Sequence, residues 1–270
     1  INLVYINYPA KYLEDEIFEE HFGKESYVNR NADLLLERIS EAGINTIDLR
    51  SCLVQEGRNV YDMFYRTDHH WTTETGLWAA KNIAEGLNLY CDYNIDLSVY
   101  DKSNFTFTEY RDCWLGEQGR KLGASFTGLD NFTQIEPNFE TNYLFKYGDS
   151  WAEGTFDNFI NKEIYSSSMD VYTNSSWHYS YFQNHVINQN VQEGKILVLG
   201  DSYNQTVIPF LSLTVNEVEP VILRDATFNG SIREYIENGE YDTVLICYSA
   251  PTIGGHDEAS SVNHKLFTFE

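Results

Sequence analysis

The sequence predicts an α/β fold, a three-layer α/β/α domain with a mostly parallel sheet and a β-rich insertion. Three features carry this expectation. A strand-like run at residues 3–6 is followed by helical spacing at 31–39 and a second extended run at 44–49, which together make a β-α-β unit. Residues 195–199, Lys-Ile-Leu-Val-Leu, are short, apolar and β-branched, as a central strand buried on both faces should be. Between these regions, from about 96 to 189, helical periodicity fades and aromatics, Gly, Asn and Thr dominate.

Taken in order, residues 3–6 alternate as a strand that Pro9 and the polar run after it bring to an end. The helix over 31–39 stops at Gly43. Thr72 or Thr73 can cap a helix from about 74 to 85, with Leu77, Ala80, Ile83 and Ala84 as its buried stripe. Residues 104–108, Asn-Phe-Thr-Phe-Thr, predict a short antiparallel strand inside the insertion. After the strand at 195–199, a helix from about 204 to 213 is kinked or tightened around Pro209. A strand at 218–223, a helix at 231–238 stopped by Gly239, and a strand at 243–248 complete about five strands. The 270 residues fit one domain, 1–270, interrupted by the insertion at about 96–189.

Bulk composition narrows the partners. A net charge of −23 argues against nucleic acid and anionic membrane surfaces, because phosphate contacts need Lys and Arg. The four cysteines, Cys52, Cys91, Cys113 and Cys247, form no CxxC pair, which suggests neither a zinc knuckle nor a dithiol redox site. Cys247 lies in an apolar run and reads as a small buried hydrophobe, while pairing among the other three stays open. No apolar run is long enough to span a membrane. The chain begins directly on a strand without Met, so a signal peptide or membrane anchor upstream is expected. Twenty Tyr among many Asn and Ser have the flavour of secreted carbohydrate-active proteins, and Trp114, Trp151 and Trp177 are candidates for the floor of a sugar groove, or for a satellite core.

The stretch Tyr65-Arg66-Thr67-Asp68-His69-His70-Trp71 carries the chemistry. An acid, two imidazoles and an indole in succession are poorly explained by packing, since Asp and His are seldom buried without partners. Its counterpart is Gly200-Asp201-Ser202, directly after the apolar strand. A serine on such a turn is exposed at the carboxyl edge of the sheet, close to N–H groups that can bind an oxyanion. Its hydroxyl becomes nucleophilic when a His takes the proton and an acid fixes the His tautomer. His70 has Asp68 two residues earlier, whereas His21, His178 and His185 lack an Asp at such spacing. His256, followed by Asp257 in a Gly-rich tail, and His264 are the alternatives, because many serine hydrolases of this sheet type place their His near the C-terminus.

Thr67-Asp68-His69-His70-Trp71-Thr72, with Gly76 beyond it, resembles the signature of the bacterial DHHW proteins, and Gly200-Asp201-Ser202-Tyr203 resembles their GDS block. The pair is more distantly similar to the alginate O-acetyltransferase proteins, within the SGNH hydrolase-like group. The likeness extends over residues 5–9, 115–130, 195–213 and 222–224. It implies Ser202 as nucleophile, His70 as base and Asp68 as the acid that orients it. It further implies that Trp71 walls the site, and places Tyr203 and His69 at the substrate groove. Arg224, at the end of the next strand, is a candidate oxyanion or substrate contact, or a structural ion pair near Asp225.

The implied reaction is acyl transfer through an acyl-enzyme to a sugar hydroxyl or to water, without cofactor or metal. Expected partners are a glycan or an acyl-ester small molecule, with a membrane-bound acyl donor as a further one, in a bacterial extracellular or cell-envelope setting. Two other readings compete. A cell-envelope glycan-binding or scaffold protein would keep the fold without turnover. A metal-dependent phosphoesterase would use Asp-His-His as ligands, but needs further oxygen and His ligands from other strands.

Overall fold

The structure is a computed structural model that describes residues 1–160, 185–223, 228 and 230–253. Its centre is an eight-stranded sheet in which Asn45–Asp48, Asn2–Tyr8, Thr243–Ser249, Lys195–Gly200, Glu217–Val221, Val186–Asn188, Tyr143–Tyr147 and Ser150–Gly154 lie side by side in that order. Five strands run parallel: β1 (Asn2–Tyr8), β2 (Asn45–Asp48), β8 (Lys195–Gly200), β9 (Glu217–Val221) and β10 (Thr243–Ser249). These are the five strands expected from the apolar runs. Side chains of β8 alternate between two cores: Ile196 and Val198 enter the larger one, and Leu197 and Leu199 the smaller. A strand covered on both faces has no polar positions to offer, hence its unbroken apolar run.

Helices cover both faces. On the smaller core lie α2 (Val28–Glu41) and the helix Ile232–Asn238, contributing the buried Ala32 and Ile232. The larger core receives α3 (Leu49–Gln55), α4 (Thr73–Tyr90) and the short helix Ile208–Leu211. The expected stripe Leu77, Ala80, Ile83 and Ala84 is buried, and α4 runs one turn further than the sequence suggested. Thr72 caps it, its hydroxyl accepting from the Thr75 amide at 3.3 Å. At Gly76 the helix meets the segment after Ser202 so closely that a Cβ there would lie 2.4 Å from the Thr206 side chain. That contact brings the two distant sequence motifs to one place.

Several features depart from expectation. A short helix α1 (Asp15–Phe22) occupies the polar run after Pro9, with none of its residues buried. The region after Ser202 is a 3-10 segment, Ser202–Thr206, followed by the helix Ile208–Leu211, with Pro209 in the first turn of the latter, where its missing N–H costs nothing. The segment read as an insertion supplies β3 (Phe105–Trp114) and β4 (Asp130–Pro137), an antiparallel ribbon apart from the main sheet. It also supplies β5 (Tyr143–Tyr147), β6 (Ser150–Gly154) and β7 (Val186–Asn188), which extend the main sheet antiparallel from β9. All four cysteines are unbridged, and Cys247 is buried. Among the described residues, no helix is long and apolar enough to cross a membrane.

Candidate active site

The Asp-His-His segment is a loop closed at its base. Phe64 and Trp71 form a β-bridge, the Tyr65 amide donates to the His70 carbonyl at 3.1 Å, and the Thr72 amide to Met63 at 2.9 Å. The ribbon β3–β4 and the helix α5 (Glu117–Leu122) clasp this loop from outside. Asp130, the first residue of β4, accepts from the Thr67 amide at 2.7 Å, the Thr67 hydroxyl at 2.6 Å and the Arg66 amide at 3.2 Å. The Gly116 amide donates to the Thr67 hydroxyl at 2.9 Å and the Glu117 amide to Asp68 Oδ2 at 2.7 Å. A Cβ at Gly116 would sit 2.3 Å from Asp68 Cβ and 2.5 Å from its Oδ2, so only glycine permits this approach.

Within the loop, Asp68 Oδ1 receives the His70 amide at 2.9 Å and faces His70 Nδ1 at 2.6 Å. A carboxylate at Nδ1 selects the tautomer protonated there, which leaves Nε2 as an acceptor. Nε2 lies 2.7 Å from Ser202 Oγ, 132 residues away in sequence. Asp68, His70 and Ser202 therefore form one continuous hydrogen-bonded relay. Burial alone would raise the Asp68 carboxyl, but the hydrogen bond and charge of His70, with the amides of His70 and Glu117, outweigh it and hold the group far below its ordinary range.

Ser202 opens the 3-10 segment at the end of β8. Asp201 fixes this turn: its side chain accepts from the Tyr203 amide at 3.1 Å, and from the Ser249 amide, the Ser249 hydroxyl and the Thr252 hydroxyl at 2.8, 2.6 and 3.0 Å. One buried carboxylate thus ties the end of β8 to the end of β10. The Ser202 amide has no hydrogen-bond partner among the described residues and is free to meet a developing oxyanion.

Other expected site residues fall in different places. Trp71 does not wall the site: it is 1 % exposed, packs 4.7 Å from the Tyr8 ring, and its indole N–H donates to the Tyr203 carbonyl at 3.0 Å. Tyr203 is likewise buried, its hydroxyl donating to the His69 carbonyl at 2.6 Å. Both are struts that join the two motifs beneath the reacting atoms, rather than substrate contacts. His69 is half-exposed, its ring centred 3.9 Å from that of His70 and tilted by 40°. Trp114 is buried against Tyr65 and floors no groove, whereas Trp151 is 40 % exposed at the far end of the sheet beside His185. His185 pairs with Glu217 at 2.7 Å. Arg224, Trp177, His178, His256 and His264 lie outside the described residues.

Sequence reasoning missed Asp130, Gly116, Glu117, Asp201 and Lys11 as supports. Lys11, just after β1, reaches the Arg66 carbonyl and Gln118 Oε1, each at 3.4 Å. Burial lowers its pKa, against the pull of Asp68 and Asp130. For Asp130 and Gly116 the only signal was the likeness over 115–130, which gave a region without roles. A cation could also be offered donors here, since ligand atoms of Asp68, His69 and His70 lie within 4.8 Å of one another. To take it, His70 would have to give up its bond to Asp68 or to Ser202, because those partners occupy both ring nitrogens.

The fold has counterparts among known proteins. Residues 1–103 match the family model described as SGNH hydrolase-like domain, acetyltransferase AlgX. The structure of Bacillus cereus PatB1 superposes with a TM-score of 0.71 at 18 % identity, over 94 % of this chain and 84 % of that one. The fold is SGNH hydrolase-like. A DHHW family protein from Eubacterium siraeum DSM 15702 is similar to this chain with a TM-score of 0.64 at 15 % identity, covering 94 % of this chain and 80 % of that one. The O-acetyltransferase domain of Pseudomonas putida AlgJ gives 0.52 at 15 %, covering 98 % and 82 %. No curated protein sequence matches the chain.

Proposed function

We propose that the protein is a serine-dependent acyltransferase that moves an acyl group, acetyl in the first instance, from an ester donor to a hydroxyl of a cell-envelope or extracellular glycan. The observation that carries this reading is the relay Asp68 Oδ1, His70 Nδ1, His70 Nε2, Ser202 Oγ, with links of 2.6 and 2.7 Å. In the first half-reaction Ser202 Oγ attacks the ester carbonyl carbon and its proton passes to His70 Nε2. Collapse of the tetrahedral intermediate expels the donor alcohol, which takes that proton, and leaves the acyl group on Ser202. Asp68, ionised throughout, stabilises the imidazolium. The Ser202 amide is one donor for the oxyanion.

In the second half-reaction a hydroxyl attacks the acyl-enzyme with the proton steps repeated. A glycan is the favoured acceptor because the similar proteins include the O-acetyltransferase domain of Pseudomonas putida AlgJ, and the matching family model is that of the acetyltransferase AlgX. Beside Lys11, the rings of Tyr12, Phe18, Phe22 and Tyr61 form a cluster with Phe22 54 % and Tyr61 51 % exposed, a surface suited to a sugar face. A membrane-bound acyl donor and an upstream anchor fit this setting.

The test is incubation with an activated acetyl ester and soluble envelope glycans. The wild type should release the leaving group and place acetyl esters on the glycan, and Ser202→Ala should do neither. Equal turnover by Ser202→Ala would remove the serine from the reaction.

A further inference from the structure

His69 takes no part in the relay, yet it is held beside it. Its main chain is pinned by the Tyr203 hydroxyl at 2.6 Å. Its ring lies 3.9 Å from that of His70, tilted by 40°. Its Nδ1 is 3.4 Å from Asp68 Oδ1 and 3.8 Å from Glu117 Oε2. The carboxylate oxygen that orients His70 thus faces the Nδ1 of both imidazoles, and it favours the same tautomer in each, with Nε2 unprotonated. Burial and the neighbouring His70 lower the pKa of His69, with Asp68 and Glu117 opposing, so the neutral ring is favoured. The side chain is 43 % exposed against 13 % for His70, and among the described residues no hydrogen bond reaches its Nε2.

Two neutral imidazoles with ring centroids 3.9 Å apart, both facing one carboxylate through Nδ1, each keep an Nε2 as a proton acceptor. The Nε2 of His70 serves the reacting hydroxyl. A hydroxyl on the adjacent carbon would fall within reach of the other. We propose that His69 binds this second hydroxyl, so that the site selects acceptors with vicinal hydroxyls over simple alcohols and water. This deepens the acyl-transfer reading and rests on it.

In the transfer step the reacting acceptor oxygen bonds to the acyl carbon of the Ser202 ester while its proton passes to His70 Nε2. The bond between Ser202 Oγ and that carbon then breaks, and Oγ recovers the proton from His70. The neighbouring hydroxyl keeps its proton and donates it in a hydrogen bond to His69 Nε2, which aligns the nucleophile. No bond to His69 forms or breaks.

The experiment uses p-nitrophenyl acetate as donor and compares ethylene glycol with ethanol as acceptor, reading the ratio of acetate ester to free acetate within each variant. For the wild type, that ratio per hydroxyl should favour ethylene glycol roughly five- to tenfold, as one hydrogen bond allows. His69→Ala should lose the preference, and His69→Gln, whose amide oxygen can still accept, should retain part of it. A merely structural role would lower total turnover and leave the preference unchanged. A wild type without preference, or His69→Ala with an undiminished one, overturns the proposal. Nitrophenol release that is the same in Ser202→Ala overturns the underlying acyl-transfer reading, and this proposal with it.

Discussion

Replacing Asp68 by asparagine changes one atom and leaves the loop no satisfactory arrangement. The carboxylate receives three N–H groups: Oδ1 takes the amide of His70 at 2.9 Å and faces its Nδ1 at 2.6 Å, while Oδ2 takes the Glu117 amide at 2.7 Å. An asparagine has a single acceptor oxygen. With that oxygen toward His70, its NH2 opposes the Glu117 amide, and a buried donor is stranded at a cost of about 1–3 kcal/mol. With the oxygen toward Glu117, the NH2 faces His70 Nδ1, which accepts only in the tautomer protonated on Nε2. Nε2 then has no lone pair for Ser202, and the base is lost. Because the stability cost competes with the catalytic one, we expect the variant to fold with a somewhat lower melting temperature and to release p-nitrophenol about 10³- to 10⁴-fold more slowly. Stopped-flow release, with near-ultraviolet circular dichroism as the check on folding, measures both. A folded Asp68→Asn with activity within a few-fold of wild type would refute the role given to the tautomer.

Three other outcomes follow from neighbouring contacts. Gly116→Ala leaves the three relay side chains in the sequence, but its Cβ would lie 2.3 Å from Asp68 Cβ and 2.5 Å from Oδ2; the displacement of Asp68 should cost about a hundredfold in ester turnover while secondary structure by circular dichroism persists. Trp71→Phe strands the buried Tyr203 carbonyl that the indole now satisfies, and urea unfolding should show a loss of about 1–3 kcal/mol. In acid, Asp68 should matter less. Its folded pKa lies below the ordinary 3.8, so the stabilisation it confers is present above that value and is lost as pH falls through it toward the folded pKa. The stability difference between wild type and Asp68→Asn, followed by urea titration, should therefore shrink from about pH 5 to pH 2.

What could be read in advance was local chemistry. The apolar run at 196–199 has no polar position and so had to be a strand covered on both faces; Thr72 ahead of a 3.6-residue stripe had to begin a helix. The Asp68 and His70 pairing was readable because two residues in a turn are within hydrogen-bond reach whatever the fold. Features decided by distant contacts were not readable. Trp71 was expected to wall the site from the family resemblance alone, whereas its burial depends on Tyr8 and Tyr203, distant in sequence. The addition of β5, β6 and β7 to the main sheet depends on edge pairing with β9, for which a three-residue strand such as Val186–Asn188 carries almost no pattern. Gly116 looked like any loop glycine until Asp68 was seen against it.

The central claim is that Ser202 carries the acyl group, and intact-mass spectrometry of the protein quenched during turnover of an activated acetyl ester tests it most directly. A mass increase of one acetyl group is expected on the peptide containing Ser202, absent in Ser202→Ala and discharged when a hydroxyl acceptor is added. An acetyl group on another residue that Ser202→Ala retains, with turnover to match, would contradict it.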